Sequence, residues 1–267
     1  MIRLEHIGIV FNAHTPDENI ALKDINLSIN KGDFITVIGS NGAGKSTLYN
    51  IIAGTFKPTS GHLYMDDGTA EREITGDPEY KRARYIGRIF QNPLLGTAGK
   101  MRLEDNMMIC CRKGWKGLRI SLNNKMRAKF REQLAMLNMG LEDRLNDNVE
   151  LLSGGQRQAL TLLMATMAEP KLLLLDEHTA ALDPKTAEKV LSLTREIVAR
   201  QRLTTLMITH NMRDALKFGN RLIMMYGGKI LFDIPEEKKK HLEVKDLLAM
   251  FEQAAGSELV SDSLLLS

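Results

Sequence analysis

The chain is expected to fold as a parallel α/β structure, and three observations carry that expectation. Short, continuous apolar runs at residues 34–38, 171–175 and 204–209 have the length and two-sided hydrophobicity of buried strands. Helical patterns follow them, at 47–53 after the first run and 187–201 after the second. Strands alternating with helices in this way build a parallel sheet covered by helices. A length of 267 residues suits one large α/β domain or a domain carrying an insertion, and 43% hydrophobic residues supply a core.

The remaining elements read in chain order. Residues 2–11 alternate in part and predict a strand; 14–19 form a polar turn; 21–29 alternate again. Lys31-Gly32-Asp33 turns the chain into the first buried run. Residues 61–90 predict further strands and turns, and 100–150 are helical in character with Asn, Gly and charged breaks. The Ser153 hydroxyl can cap a helix over 156–167. Residues 221–233 suggest a hairpin, 236–240 form a charge cluster, and 244–251 fit a short helix. Residues 256–267 are expected to fray. No internal repeat is visible.

Composition excludes several functions. Lys and Arg total 36 against 33 Asp and Glu, and a net charge of +3 with 5% aromatics argues against a nucleic-acid partner. Cys110 and Cys111 are adjacent, poorly placed for an unstrained disulfide, and no spaced Cys/His set suggests a metal site. They read as thiols of a reducing compartment. The start carries an acid and no long apolar core, which does not fit a signal peptide, and no run approaches the roughly 20 apolar residues of a membrane span. The expectation is a soluble, cytoplasmic protein, with any membrane path supplied by another chain.

Five motifs carry the chemistry. Gly39-Ser40-Asn41-Gly42-Ala43-Gly44-Lys45-Ser46 matches the phosphate-binding pattern G-x-x-x-x-G-K-[ST]. Glycines let backbone N–H groups approach an anion, and the following helix points its positive end at the same place. Lys45 is placed for the β- and γ-phosphates, the Ser46 hydroxyl for Mg²⁺, and Thr47 for the α-phosphate side. A chance glycine turn with a lysine is the plain alternative, but the strand before and helix after supply the required context. Asp176 ends an apolar strand and is suited to hold Mg²⁺ through water; Glu177, next to it, is suited to act as general base on the attacking water. Gln91, in Phe90-Gln91-Asn92-Pro93, can offer an oxygen to Mg²⁺ and to that water, or be an ordinary surface glutamine. Leu152-Ser153-Gly154-Gly155-Gln156 repeats the logic of hydroxyl, exposed N–H groups and helix N-terminus. His210 follows the third buried run, at the sheet edge where ligands of such folds bind.

In this order the motifs resemble the ATP-binding-cassette (ABC) family along nearly the whole chain. The resemblance implies a P-loop NTPase core with a parallel sheet, an N-terminal antiparallel β subdomain and an inserted helical subdomain. The ATPase domain would span 1–235, with the helical insertion at about 92–160 and a C-terminal charged helix and flexible tail at 236–267. It implies ATP and Mg²⁺ as ligands, with His210 on the γ-phosphate. It also implies a head-to-tail pair of subunits in which Ser153, Gly154, Gly155 and Gln156 grip the γ-phosphate held by the opposing copy, and Asp183 lies on the loop crossing that interface. Phe11 is the candidate to stack on adenine, or else a core phenylalanine.

Two departures are visible: His178 stands where proline usually follows the glutamate, and Ala159 where a second arginine is frequent. His178 replaces a turn residue or brings a second imidazole near the phosphates. Neither removes a catalytic group, so hydrolysis is expected. Between Asn106 and Arg131 there is no acidic residue, whereas Arg112, Lys113, Lys116, Arg119, Lys125, Arg127 and Lys129 lie there with Trp115. This stretch is either a solvated basic face or a surface for anionic headgroups or acidic permease loops.

The resemblance implies the energising subunit of a membrane transporter, on the inner face of the cell membrane. Its partners would be a second ATPase subunit, a separate permease and an extracellular solute-binding protein. The run Asp176-Glu177-His178-Thr179-Ala180-Ala181-Leu182-Asp183-Pro184 is similar to ATPases of branched-chain-amino-acid-type and aromatic-amino-acid uptake systems. Export or lipid-transport ATPases are the alternative. Relatives acting on ribosomes or DNA carry tandem cassettes or coiled-coil insertions, which are not seen here.

Overall fold

The computed structural model describes residues 1–66, 68, 70–111 and 122–255. The elements run β1 (Ile2–Phe11), β2 (Asn19–Ile29), β3 (Phe34–Gly39), α1 (Lys45–Ala53), β4 (Ser60–Asp66), β5 (Glu71–Glu73), α2 (Glu79–Arg82), β6 (Ile86–Ile89), α3 (Leu103–Cys111) and α4 (Asn124–Ala135). They continue as α5 (Gly154–Met167), β7 (Leu172–Asp176), α6 (Pro184–Gln201), β8 (Thr204–Ile208), α7 (Met212–Lys217), β9 (Arg221–Tyr226), β10 (Lys229–Pro235), α8 (Glu236–Lys239) and α9 (Val244–Ala255). The chain forms two compact units, Met1–Ala83 with Leu203–Ser267, and Arg84–Arg202.

The first unit holds two layers of strands. An antiparallel sheet runs β2-β1-β4-β5. Ile2 faces Ile29, Leu4 faces Leu27 and Ile7 faces Ile25 across β1 and β2, so cross-strand apolar pairs set the register. In the same unit β3 lies between β8 and β9, parallel to both, and β10 returns antiparallel to β9 as the expected hairpin. Leu222, Ile223, Met224 and Met225 of β9 are all fully buried, which explains why this strand reads as an unbroken apolar run.

Buried Arg82 joins the helix behind the glycine loop to the chain after β5. Its guanidinium donates to the carbonyl oxygens of Ile51, Ile52, Ile74, Thr75 and Asp77 at 2.6–3.2 Å. The C-terminal segment closes the unit. Leu247 and Phe251 of α9 are fully buried in a cluster with Ile38, Met212, Ala215, Leu222, Met224 and Ile234. Each such side chain contributes about 2 kcal/mol by leaving water. Lys239 is also buried; its ammonium donates to the carbonyl oxygens of Phe218 and Gly219 and to Thr36 Oγ1. Burial pushes its pKa down to about 8.

In the second unit β6 and β7 pair in parallel, and α5 touches α3, α4, α6 and β6. Leu160 and Leu162 of α5, and Phe130 and Leu134 of α4, are fully buried. Of the basic stretch, Arg127 forms an ion pair with buried Glu104 at 2.8 Å, so that charge serves the fold. Arg112, Lys113, Trp115, Lys116 and Arg119 lie outside the described residues, as does the tail at 256–267.

Candidate active site

Of the residues expected at the site, the glycine loop, His210 and Phe11 lie in the first unit. Strand β3 delivers Gly39 and Ser40, both buried, while Asn41, Gly42 and Ser46 are exposed. Gly44 caps α1 with φ 96°, and a Cβ there would lie 2.6 Å from Leu22 Cδ2 and 2.8 Å from the Ala21 carbonyl oxygen. Strand β2 therefore passes too close beneath the loop for any other residue. Ala43 is buried, and its carbonyl accepts from Gly228 N–H at 3.3 Å, fixing the loop to the β9–β10 turn. Lys45 is 6% exposed, and its Nζ donates to the carbonyl oxygens of Gly39 at 2.7 Å and Ser40 at 2.9 Å. The ammonium thus sits inside the loop, and the N–H groups of Lys45, Ser46 and Thr47 lie in the first turn of α1, where helix amides lack intrahelical partners.

Because Val37 pairs with Ile208 in parallel, Gly39 and His210 leave the sheet at the same edge. Asn211 caps α7 by accepting from Arg213 and Asp214 N–H, so His210 stands between a strand end and a capped helix. Phe11, at the end of β1, is half-buried and meets Phe56 edge-on at 5.4 Å. The aromatic is one of a pair, and the only sequence signal of Phe56 was its place just after the C-cap of α1.

Gln91, Asp176, Glu177, the glycine-serine motif and Asp183 lie in the second unit. Ile89 pairs with Leu175, so exposed Gln91 and half-buried Glu177 emerge at one edge. Asp176 is the last residue of β7. Glu177 has φ 44°, a conformation uncommon outside glycine and concentrated at functional turns. Its carbonyl accepts from Ala180 N–H at 3.0 Å. His178 is 3% exposed with Nε2 3.1 Å from Thr194 Oγ1 of α6. The imidazole therefore turns into the unit and not outward, and burial pushes its pKa down to about 4.

Ser153 caps α5 in a capping box: its Oγ accepts from Gln156 N–H, and Gln156 Oε1 accepts from Ser153 N–H. The Gln156 side chain also donates to the Met139 carbonyl and accepts from Arg144, so its oxygen and one of its N–H groups hold the motif. Asp183 caps α6 by accepting from Thr186 N–H at 3.1 Å, and hydrogen bonds from Thr186 hold its carboxyl below the usual range. The two caps are neighbours. A Cβ at Gly154 would sit 3.4 Å from Leu182 Cδ2, and one at Gly155 would collide with Thr186 Cγ2. Thr186, Thr194 and Arg144 carry no motif signature, and sequence reading passed over them.

The oxygen donors expected for Mg²⁺, the Ser46 hydroxyl, the Gln91 amide and the Asp176 carboxylate, are the ligand type this hard cation takes. Among the described residues no group of three or more His, Cys, Asp or Glu side chains forms a metal cage.

The ABC transporter family model matches residues 22–180, more than half of the chain. The chain belongs to the ABC transporter family. A tyrosine transport ATP-binding protein of Clostridioides difficile is 41% identical over 259 residues, covering 95% of this chain and all of the relative. An energy-coupling factor transporter ATP-binding protein EcfA2 of Caldanaerobacter subterraneus is 32% identical over 246 residues, 91% of this chain and 82% of its own. Among solved structures, the dimeric ATP-binding cassette MJ0796 bound to ADP and phosphate superposes with a TM-score of 0.73 at 28% identity, covering 88% of this chain and 99% of the other. This member of the ABC family is an ATP-binding domain and an ATPase. No helix among its described residues is long and apolar enough to cross a membrane.

Proposed function

We propose that this ABC protein hydrolyses ATP to drive import of an aromatic amino acid or a similar small solute through a separate permease. The end-to-end similarity to a tyrosine transport ATP-binding protein carries the reading. The permease, a second copy of the chain and a solute-binding protein complete the system, which places the chain on the inner face of the membrane. The alternative of an export or lipid-transport system gains no support from the relatives described.

The proposed chemistry follows from the residues. The N–H groups of residues 40–46 and the Lys45 ammonium bind the β- and γ-phosphates, and Thr47 the α-phosphate side. Ser46, Gln91 and Asp176 are the residues suited to hold Mg²⁺. When bound, that ion neutralises charge on the transferring phosphoryl group. Glu177 orients the attacking water and accepts its proton, Gln91 also orients it, and His210 donates to the γ-phosphate. Phe11 flanks the adenine. Ser153, Gly154 and Gly155 face the nucleotide of the second copy, with Gln156 supporting their cap and Asp183 beside them.

Transport is tested by deleting the gene and following uptake of labelled tyrosine. Uptake should fall and return with the wild-type gene but not with Glu177→Gln; unchanged uptake refutes the substrate assignment. For the dimer, Cys110 and Cys111 are replaced, and cysteines are placed at Asn41 and at Gly154, where a Cβ makes only ordinary contact. ATP should promote an intermolecular cross-link in a Glu177→Gln background. Cross-linking that ignores ATP argues against the sandwich.

A further inference from the structure

The residue after the proposed general base is buried and bonded, and nothing in the chemistry above uses it. His178 Nε2 lies 3.1 Å from Thr194 Oγ1, and the same hydroxyl donates to the Val190 carbonyl oxygen at 2.9 Å. A hydroxyl has one proton. With that proton directed at Val190, Thr194 Oγ1 can only accept from the ring, so His178 Nε2 carries a hydrogen and donates it. Both side chains are buried, His178 at 3% exposure and Thr194 at 0%, so the bond is shielded from competing water.

The location of this bond gives it a consequence. Glu177 holds φ 44°, a left-handed conformation uncommon for a residue with a Cβ. On one side Glu177 is anchored by β7, whose last residue is Asp176. On the other side the Glu177 carbonyl takes part in the turn to Ala180 N–H. The next fixed point along the chain is His178, tied to the third turn of α6. The far end of the same loop is tied to the first turn of α6, where Asp183 accepts from Thr186 N–H. The loop 177–183 is therefore pinned to one helix at both ends.

We propose that the His178–Thr194 hydrogen bond is the device that holds Glu177 in its unusual backbone conformation, making His178 a positioning residue for the general base. The proposal rests on the assignment of Glu177 as that base. A proline in this place would restrict the turn through its ring; here an imidazole anchored to α6 takes over the task. Removing the bond leaves ATP binding by the glycine loop untouched and lets the Glu177 carboxylate wander, which costs turnover.

The test uses the full chain with Thr194→Val, an isosteric change that removes the acceptor, and His178→Phe, which fills the space without a donor. Thr194→Ser and His178→Gln restore the acceptor and the donor, respectively. For Thr194→Val and His178→Phe, kcat should fall about tenfold, with ATP affinity within about twofold of wild type; the conservative pair should recover most of kcat. In a Glu177→Gln background, Thr194→Val should change the residual rate by less than about twofold, because the two act through one group. Wild-type kcat in Thr194→Val overturns the proposal, as does a parallel loss of kcat and ATP affinity, or a tenfold loss that persists without Glu177. If Glu177→Gln alone turns over at the wild-type rate, the base assignment itself fails. A Glu177→Gln enzyme that is impaired beside an unimpaired Thr194→Val enzyme refutes only the role of His178.

Discussion

Gly155 packs against the γ-methyl of Thr186 so closely that no Cβ fits between them. The glycine is required here by the neighbouring helix, since Gly155 is an ordinary helical residue of α5. Gly155→Ala should destabilise the protein by about 1–3 kcal/mol through overpacking. Thr186→Ser, which deletes the methyl, should recover most of that loss in the double variant. Urea unfolding of the single and double variants measures both.

Lys45 and Glu177 are expected to separate binding from turnover. Lys45→Ala should weaken ATP affinity about 10- to 100-fold, because a charge-assisted contact to phosphate is lost. Glu177→Gln should bind ATP normally and lose most phosphate release. Calorimetric titration together with a phosphate-release assay distinguishes the two, and a wild-type rate in Glu177→Gln contradicts its role.

Arg82 is expected to act on stability. Arg82→Lys places one ammonium where a planar fork reached five carbonyl oxygens. A loss of about 3 kcal/mol is expected, from carbonyls left without donors. Chemical denaturation should show it, while the folded fraction keeps its ATP affinity.

Lys239 should give stability a distinct alkaline dependence. Its pKa is about 8 in the folded protein against an ordinary 10.5. Between these values the unfolded chain binds more protons, so stability rises with pH across the window. Relative to Lys239→Met, the wild type should gain about 2 kcal/mol in unfolding free energy between pH 7.5 and 10. A flat difference between the two proteins over that range contradicts the shift.

The sheet was legible because its strands are buried on both faces. Residues 171–175 and 204–209 stand out as apolar runs, and the structure places β7 and β8 there. Helix α6 begins three residues before the amphipathic stretch that announced it, because Asp183 and Pro184 supply a cap and a first turn without apolar residues. Helix α1 likewise starts at Lys45, inside the glycine loop. What sequence could not show is where buried polar side chains find partners. His178 and Thr194 are separated by a turn and more than two helical turns, and no periodicity connects them. The same holds for Gln156, whose motif position suggests a ligand contact and whose Oε1 accepts from Ser153 and Arg144 while one Nε2 hydrogen goes to Met139.

The capping box at Ser153 leaves a specific chemical asymmetry. To start α5 the hydroxyl needs to offer only a lone pair to Gln156 N–H. Its single proton plays no part in that task and stays available for an anion in front of the helix. Aspartate or asparagine would start the helix as well as serine does. Aspartate would present a negative charge to a phosphate, and asparagine an amide of different reach. Helix formation therefore does not account for the choice among these three side chains; serine satisfies the fold from one side of its oxygen and can greet a ligand from the other.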